Sequence, residues 1–175
     1  MPEIPGRIEA IYTHWSAHDY ASVFPAYHFC VVQMPNGEIE VANTHDVREN
    51  MRDVYAGPEE EYAQHTRKRN SYALGISVMA MEGATPQDFG TYPLTDRLVE
   101  GLCVVGARLV SFYGVTLDAE HVMTHAEAAL RDGYFGTEPN QRWDLARFAS
   151  DPQPLTEAEA WSRGEALRAR MRALQ

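Results

Sequence analysis

The sequence predicts a single α/β domain, a mixed central β-sheet flanked by helices with one further helix added at the C-terminal end. Three observations predict it. Strand-like segments alternate with helical ones along the chain, as layered α/β packing requires. Residues 74–81 (LGISVMAM) form a nearly continuous apolar run of strand length, suited to a central strand covered on both faces. The 175 residues are enough for one domain with a substantial core and too few for two ordinary ones. The core is expected in residues 8–150 and the added helix in 155–174, making 1–175 one unit.

In chain order, residues 8–15 (IEAIYTHW) read as a short strand that ends in a polar cluster. Residues 27–34 (YHFCVVQM) are rich in strand formers, Pro35-Asn36-Gly37 is a turn, and residues 38–41 return, which predicts a hairpin. Residues 46–64 are polar and acidic, with Gly57-Pro58-Glu59-Glu60-Glu61 as a surface loop. Leu98, Leu102, Val105, Leu109 and Phe112 recur every three or four positions and predict an amphipathic helix from Thr95 to Gly114. Val122-Met123-Thr124 reads as a short buried strand leading into His125. A second helix is predicted over 156–174, with Thr156 and Glu159 as a capping box and an Arg-rich end that suits the helix dipole. Its apolar stripe is expected to be Leu155, Trp161, Leu167, Met171 and Leu174.

The formal charge is −10, from 15 basic and 25 acidic side chains, which leaves no basic footprint for nucleic acid or an anionic membrane. No apolar stretch is long enough to span a membrane. The opening MPEIPGRIEA lacks a basic segment followed by an apolar one, so synthesis in the cytoplasm without a signal peptide is expected. Cys30 and Cys103 both sit in apolar surroundings, which predicts buried free thiols. The only lysine, Lys68, lies between Arg67 and Arg69, a basic cluster on an otherwise acidic chain.

Of the seven histidines, at 14, 18, 28, 45, 65, 121 and 125, two stand apart. His14 and His125 each follow a short apolar strand, so their imidazoles emerge at strand ends, where open α/β sheets build ligand sites. Two imidazoles with one carboxylate and an open fourth position make a catalytic zinc arrangement. Glu127, Asp132 and Asp144 are the nearby carboxylates. His125-Ala126-Glu127 also matches the H-x-E of zinc deaminases, but the required downstream P-C-x-x-C is missing. No G-x-S-x-G, P-loop or G-x-G-x-x-G motif occurs.

Six short motifs appear in order: Thr-His-Trp-Ser-Ala (13–17), Ala-Tyr-His-Phe (26–29), Gln-His-Thr (64–66), Asn70 ahead of Gly75-Ile76, Thr-His-Ala-Glu (124–127) and Arg-Trp-Asp-Leu (142–145). Together they resemble the zinc-dependent N-acetylmuramoyl-L-alanine amidases that share the peptidoglycan-recognition-protein fold, including the phage lysozyme-type amidases. The resemblance covers roughly residues 8–150. It implies one Zn2+ held by His14, His125 and Asp144, with Asp132 as a rival third ligand. Tyr27 matches the family's tyrosine beside the metal, and Arg142 stands where the family has a lysine, a substitution that keeps charge but changes shape and hydration. The family's alternative glutamate position holds Ser77. His65 and Asn70 match groove residues that contact the peptide stem, and Glu127 is a candidate partner of a ligand. The implied substrate is peptidoglycan, cleaved at the cell wall between N-acetylmuramic acid and L-alanine by a monomer, as in an endolysin. The alternative within the same fold is a peptidoglycan-binding module that does not cut, and a third possibility is a structural component retained for docking.

Overall fold

The computed structural model describes residues 7–175. The expectation of a chain opening without a signal peptide bears largely on residues outside that range. Ala73–Val78 forms the middle of a five-stranded sheet, and the run that predicted a strand covered on both faces is fully buried over its six residues. Numbered along the chain, the strands are β1 (Ala10–Trp15), β2 (Phe29–Gln33), β3 (Ile39–Asn43), β4 (Ala73–Val78) and β5 (Val122–Thr124), arranged β3-β2-β4-β1-β5. Only the β2–β3 hairpin is antiparallel; the β2–β4, β4–β1 and β1–β5 pairings are parallel, so the sheet is mixed as expected. The hairpin turn is where the sequence puts it, with Met34 N–H donating to Glu38 O at 2.8 Å and Gly37 supplying the positive φ of +83°.

The helices are α1 (Asp96–Tyr113), α2 (His125–Asp132) and α3 (Glu157–Ala173), and a short 3-10 turn covers Val47–Asn50. Thr95 caps α1 by accepting from Leu98 N–H, and Gly114 ends it in the left-handed conformation, as predicted. The buried face differs from the predicted stripe: Leu98, Val99, Leu102, Cys103, Gly106, Ala107 and Val110 are inside, while Phe112 is 66% exposed. The reason is close approach. A Cβ on Gly106 would overlap Met171 of α3, so small residues let the two helices meet where a hydropathy pattern sees little.

The same effect shifts the α3 stripe. Ala160, Gly164, Leu167, Arg168 and Met171 are buried, whereas Leu174 is exposed and Trp161 half-buried. Thr156 accepts from Glu159 N–H, but the Glu159 carboxylate goes to Arg147, so the expected reciprocal capping box at α3 is only half formed. The full box occurs instead at α2, an eight-residue helix not anticipated as such, between Thr124 and Glu127. Cys30 and Cys103 are buried and free, and burial raises both thiols to about 11. Among the described residues no helix is long and apolar enough to cross a membrane.

Candidate functional site

β1 and β5 run parallel with Thr13 opposite Thr124, so the next residues along, His14 and His125, leave the sheet side by side. His14 is the fifth residue of β1 and is wholly buried; His125 is the first residue of α2 and only 6% exposed. Asp144 arrives from the segment after α2, where Ala126 N–H donates to Asp144 O at 3.2 Å. Trp143, its neighbour, stacks edge-on against Trp15, the neighbour of His14, with ring centres 4.5 Å apart. The residues adjacent in sequence therefore lock the carboxylate-bearing loop onto the end of β1.

The two Nδ1 atoms face each other at 3.0 Å, and Asp144 Oδ2 lies 3.7 Å from His14 Nδ1 and 3.4 Å from His125 Nδ1. One ligand atom from each of the three residues falls within a 4.8 Å cluster, the only such His/Cys/Asp/Glu group among the described residues. Burial pushes His14 down to about 4, so its imidazole is neutral at pH 7. Burial also pushes Asp144 upward, but the adjoining His125 and His14 outweigh it and hold the carboxyl well below the ordinary range, so it is ionised. Two imidazoles, of which His14 is neutral, and an ionised carboxylate converging on one point are a donor set that Zn2+ takes.

The far nitrogens support this orientation. His14 Nε2 lies 3.3 Å from Thr66 Oγ1, which lies 2.9 Å from His65 Nδ1. Donation from His14 Nε2–H to the hydroxyl, and from the hydroxyl to His65 Nδ1, leaves His14 Nδ1 with its lone pair. His125 Nε2 and His65 Nε2 are buried without a hydrogen-bond partner. Unpaired buried polar atoms are costly, and both of these belong to residues that line the cavity.

His125, Asp144 and His65 line a cavity of about 1020 Å³ walled by Trp15, Tyr27, Arg67 and the loop through Arg142, with His14 buried behind them. The Tyr27 ring centre is 5.0 Å from that of His14, and its hydroxyl donates to Trp15 O at 3.4 Å. Burial, reinforced by the Asp144 charge, raises the Tyr27 hydroxyl, which stays protonated as a donor. Arg142 is exposed on the cavity wall, its Nη1 donating to Gln141 O at 2.7 Å. His65 lines the cavity and sits over Gly75, where any Cβ would overlap its ring. Ser77 is paired in register with His14 and donates to Val78 O, so no carboxylate faces the pair from β4.

Two expected site residues are placed elsewhere. Asn70 is 5% exposed and does not line the cavity; its Oδ1 accepts from Thr66 N–H at 2.9 Å and its Nδ2 donates to Tyr55 Oη at 3.0 Å. It shapes the loop that presents His65 and Thr66. Asp132, the rival ligand, makes a two-pronged ion pair with Arg69 at 2.6 and 2.7 Å and is not part of the cluster. That pair also removes Arg69 from the expected basic cluster, leaving Arg67 on the cavity wall, 5.5 Å over the Tyr134 ring. Tyr134 is a residue that sequence reasoning missed: it lines the cavity beside His125, is 7% exposed, and its hydroxyl is buried without a partner. Thr66 was missed as well, because its role depends on a contact with a residue 52 positions away.

No family model matches the chain, and no curated protein matches it. One solved structure to which part of the chain is similar is the complex of the N-acetylmuramyl-L-alanine amidase AmiD from E. coli with the substrate anhydro-N-acetylmuramic acid-L-Ala-D-gamma-Glu-L-Lys. It has 18% sequence identity and a TM-score of 0.46, covering 79% of this chain and 55% of that one. The chain thus spans about half the length of the structure it matches.

Proposed function

We propose that this protein is a zinc-dependent hydrolase of peptidoglycan, cleaving the amide between the lactyl group of N-acetylmuramic acid and the first L-alanine of the peptide stem. The observation that carries the reading is the convergence of His14 Nδ1, His125 Nδ1 and Asp144 Oδ2 on one point, with His125 and Asp144 lining an open cavity. The order of the six sequence motifs narrows the metal hydrolase to an amidase of the wall. His14, His125 and Asp144 would hold the zinc, which when bound supplies Lewis-acid polarisation of a carbonyl and activation of water.

The chain's own groups supply the rest. Asp144 is ionised and offsets positive charge at the centre, and Thr66 keeps His14 in the tautomer that presents Nδ1. Tyr27, kept protonated by burial beside Asp144, is a hydrogen-bond donor for an oxyanion developing at the scissile carbonyl. Arg142, with a guanidinium on the cavity wall, adds a fixed positive charge toward the same substrate. His65, Tyr134, Gln64 and Arg67 are further polar side chains of the cavity lining that the peptide stem would meet. Possession of all three ligand side chains favours the enzyme over a wall-binding module that does not cut.

The experiment is a turbidity assay on purified cell walls with mass analysis of the bond released. Chelation abolishes clearing, added Zn2+ restores it, and the new ends are the lactyl carboxyl and a free L-alanine amine. Full activity in a metal-free sample contradicts the reading.

A further inference from the structure

Two of the three segments that bring ligands to the centre, those of His125 and Asp144, are held by the C-terminal helix. Glu127, two residues after His125, is 0% exposed, and its carboxylate takes Thr124 N–H at 2.9 Å and two Arg168 donors at 3.0 and 2.9 Å. Arg168 of α3, 3% exposed, also donates to Val122 O at 2.9 Å. One guanidinium thus ties the last strand to the first turn of α2 on either side of His125. Gly164, one turn earlier in α3, lies directly over the Glu127 carboxylate, and any Cβ there would overlap it.

A second contact reaches the segment that carries Asp144. Arg147, three residues after Asp144, makes a two-pronged pair with Glu159 of α3, each bond 2.7 Å. Between the two ion pairs, Ala160 of α3 packs against Ala126 and Ala146, the near neighbours of His125 and Asp144. A buried ion pair contributes little net stability compared with apolar packing of the same volume. One such pair, Arg168–Glu127, and one partly exposed pair, Arg147–Glu159, each within three residues of a ligand, therefore call for a role other than gluing the helix on.

We propose that α3 is a positioning element for the metal centre: Arg168 through Glu127, and Glu159 through Arg147, hold His125 and Asp144 in ligating geometry. The inference rests on the zinc reading above and makes α3 part of the site, although none of its residues reaches the ligand cluster. Removing the clamp leaves the three ligands present but loosely placed, which weakens metal binding without deleting a donor.

The test titrates Zn2+ against a chromophoric chelator in the full chain, with thermal unfolding recorded for every variant. Arg168→Met should lower zinc affinity about 10-fold or more, in the range found for outer partners of metal ligands. Arg168→Lys, which keeps one charged donor, should recover part of the loss, and Glu159→Gln should lose less than Arg168→Met. Because Arg168→Met leaves a buried carboxylate unpaired and risks misfolding, the double variant Glu127→Met/Arg168→Met removes both charges and should fold yet bind zinc as weakly. Met171→Ala, which loosens α3 against α1 at Gly106, should lower the melting temperature and leave zinc affinity within about twofold. Wild-type affinity in the double variant, or an equal loss in Met171→Ala, overturns the positioning role. A wild-type chain that binds no zinc overturns the metal reading itself, so the two failures are distinct.

Discussion

Two sets of buried histidines lie within a few ångströms of each other, and they are built in opposite ways. His28 is wholly buried with both nitrogens engaged by the fold: Nδ1 accepts from Gly75 N–H at 3.1 Å and Nε2 donates to Asn50 Oδ1, 3.1 Å away. Asn50 in turn donates to Ala63 O and Asn70 O and accepts from Ala63 N–H, so that network closes on itself. The His14–His125 pair is equally buried but faces nitrogen to nitrogen across 3.0 Å, with Asp144 beside it and His125 Nε2 unpaired. Hydrogen-bond satisfaction, not burial, separates a structural histidine from one built for a ligand. His65 stands between them, with ring centres 5.6 Å from both His14 and His28, one nitrogen committed to Thr66 and the other free.

That contrast can be broken by substitution. The largest expected effect is at the open set: His14→Ala, His125→Ala and Asp144→Ala should each abolish zinc binding and lower wall cleavage by about a thousandfold or more, as loss of a metal ligand does. Asp132→Ala should retain zinc, because its carboxylate is spent on Arg69. If Asp132→Ala loses zinc and Asp144→Ala keeps it, the third ligand is wrong. Next, Thr66→Val removes the hydroxyl behind His14 and should cost about 10-fold in zinc affinity with little change in fold. At the closed set the sign reverses. His28→Ala or Asn50→Ala should cost about 1–3 kcal/mol of stability by stranding buried partners while zinc affinity per folded molecule is kept, measurable by urea unfolding beside a zinc titration.

The most gradual effect is a dependence on pH. Burial depresses His14 and His28 to about 4, while the unfolded chain binds those protons near the ordinary histidine value of 6.5. In that window the unfolded state holds more protons, so stability of the metal-free protein is full above about 6.5 and falls as pH drops toward about 4. The slope is at most about 1.4 kcal/mol per pH unit for each histidine. Replacing His28 with Asn should flatten the urea-midpoint profile over this range; an unchanged slope would mean that His28 is not neutral in the fold.

How much of this was legible in the sequence follows the same division. The hairpin turn at Gly37, the buried run of β4, the caps Thr95 and Gly114 and the strand 122–124 are local signals and appear where the pattern puts them. His14 and His125 were legible because each ends an apolar strand, and Asp144 through the resemblance of its motif. The faces of α1 and α3 were misread because close packing there depends on Gly106, Gly164 and a buried Arg168, none of which raises hydropathy. Asn70 reads as a groove residue in the sequence because a polar loop residue looks the same whether it faces a cavity or its own backbone. Thr66 and Tyr134 acquire meaning only when distant segments meet, which no spacing along the chain encodes.

The central claim is that the open histidine set holds zinc and the closed set does not. It is tested most directly by elemental analysis of the purified chain, its His14→Ala variant and its His28→Ala variant after loading with Zn2+ and desalting. One zinc per chain is expected in the wild type and in His28→Ala, and none in His14→Ala. Equal zinc in all three, or none in the wild type, contradicts the account.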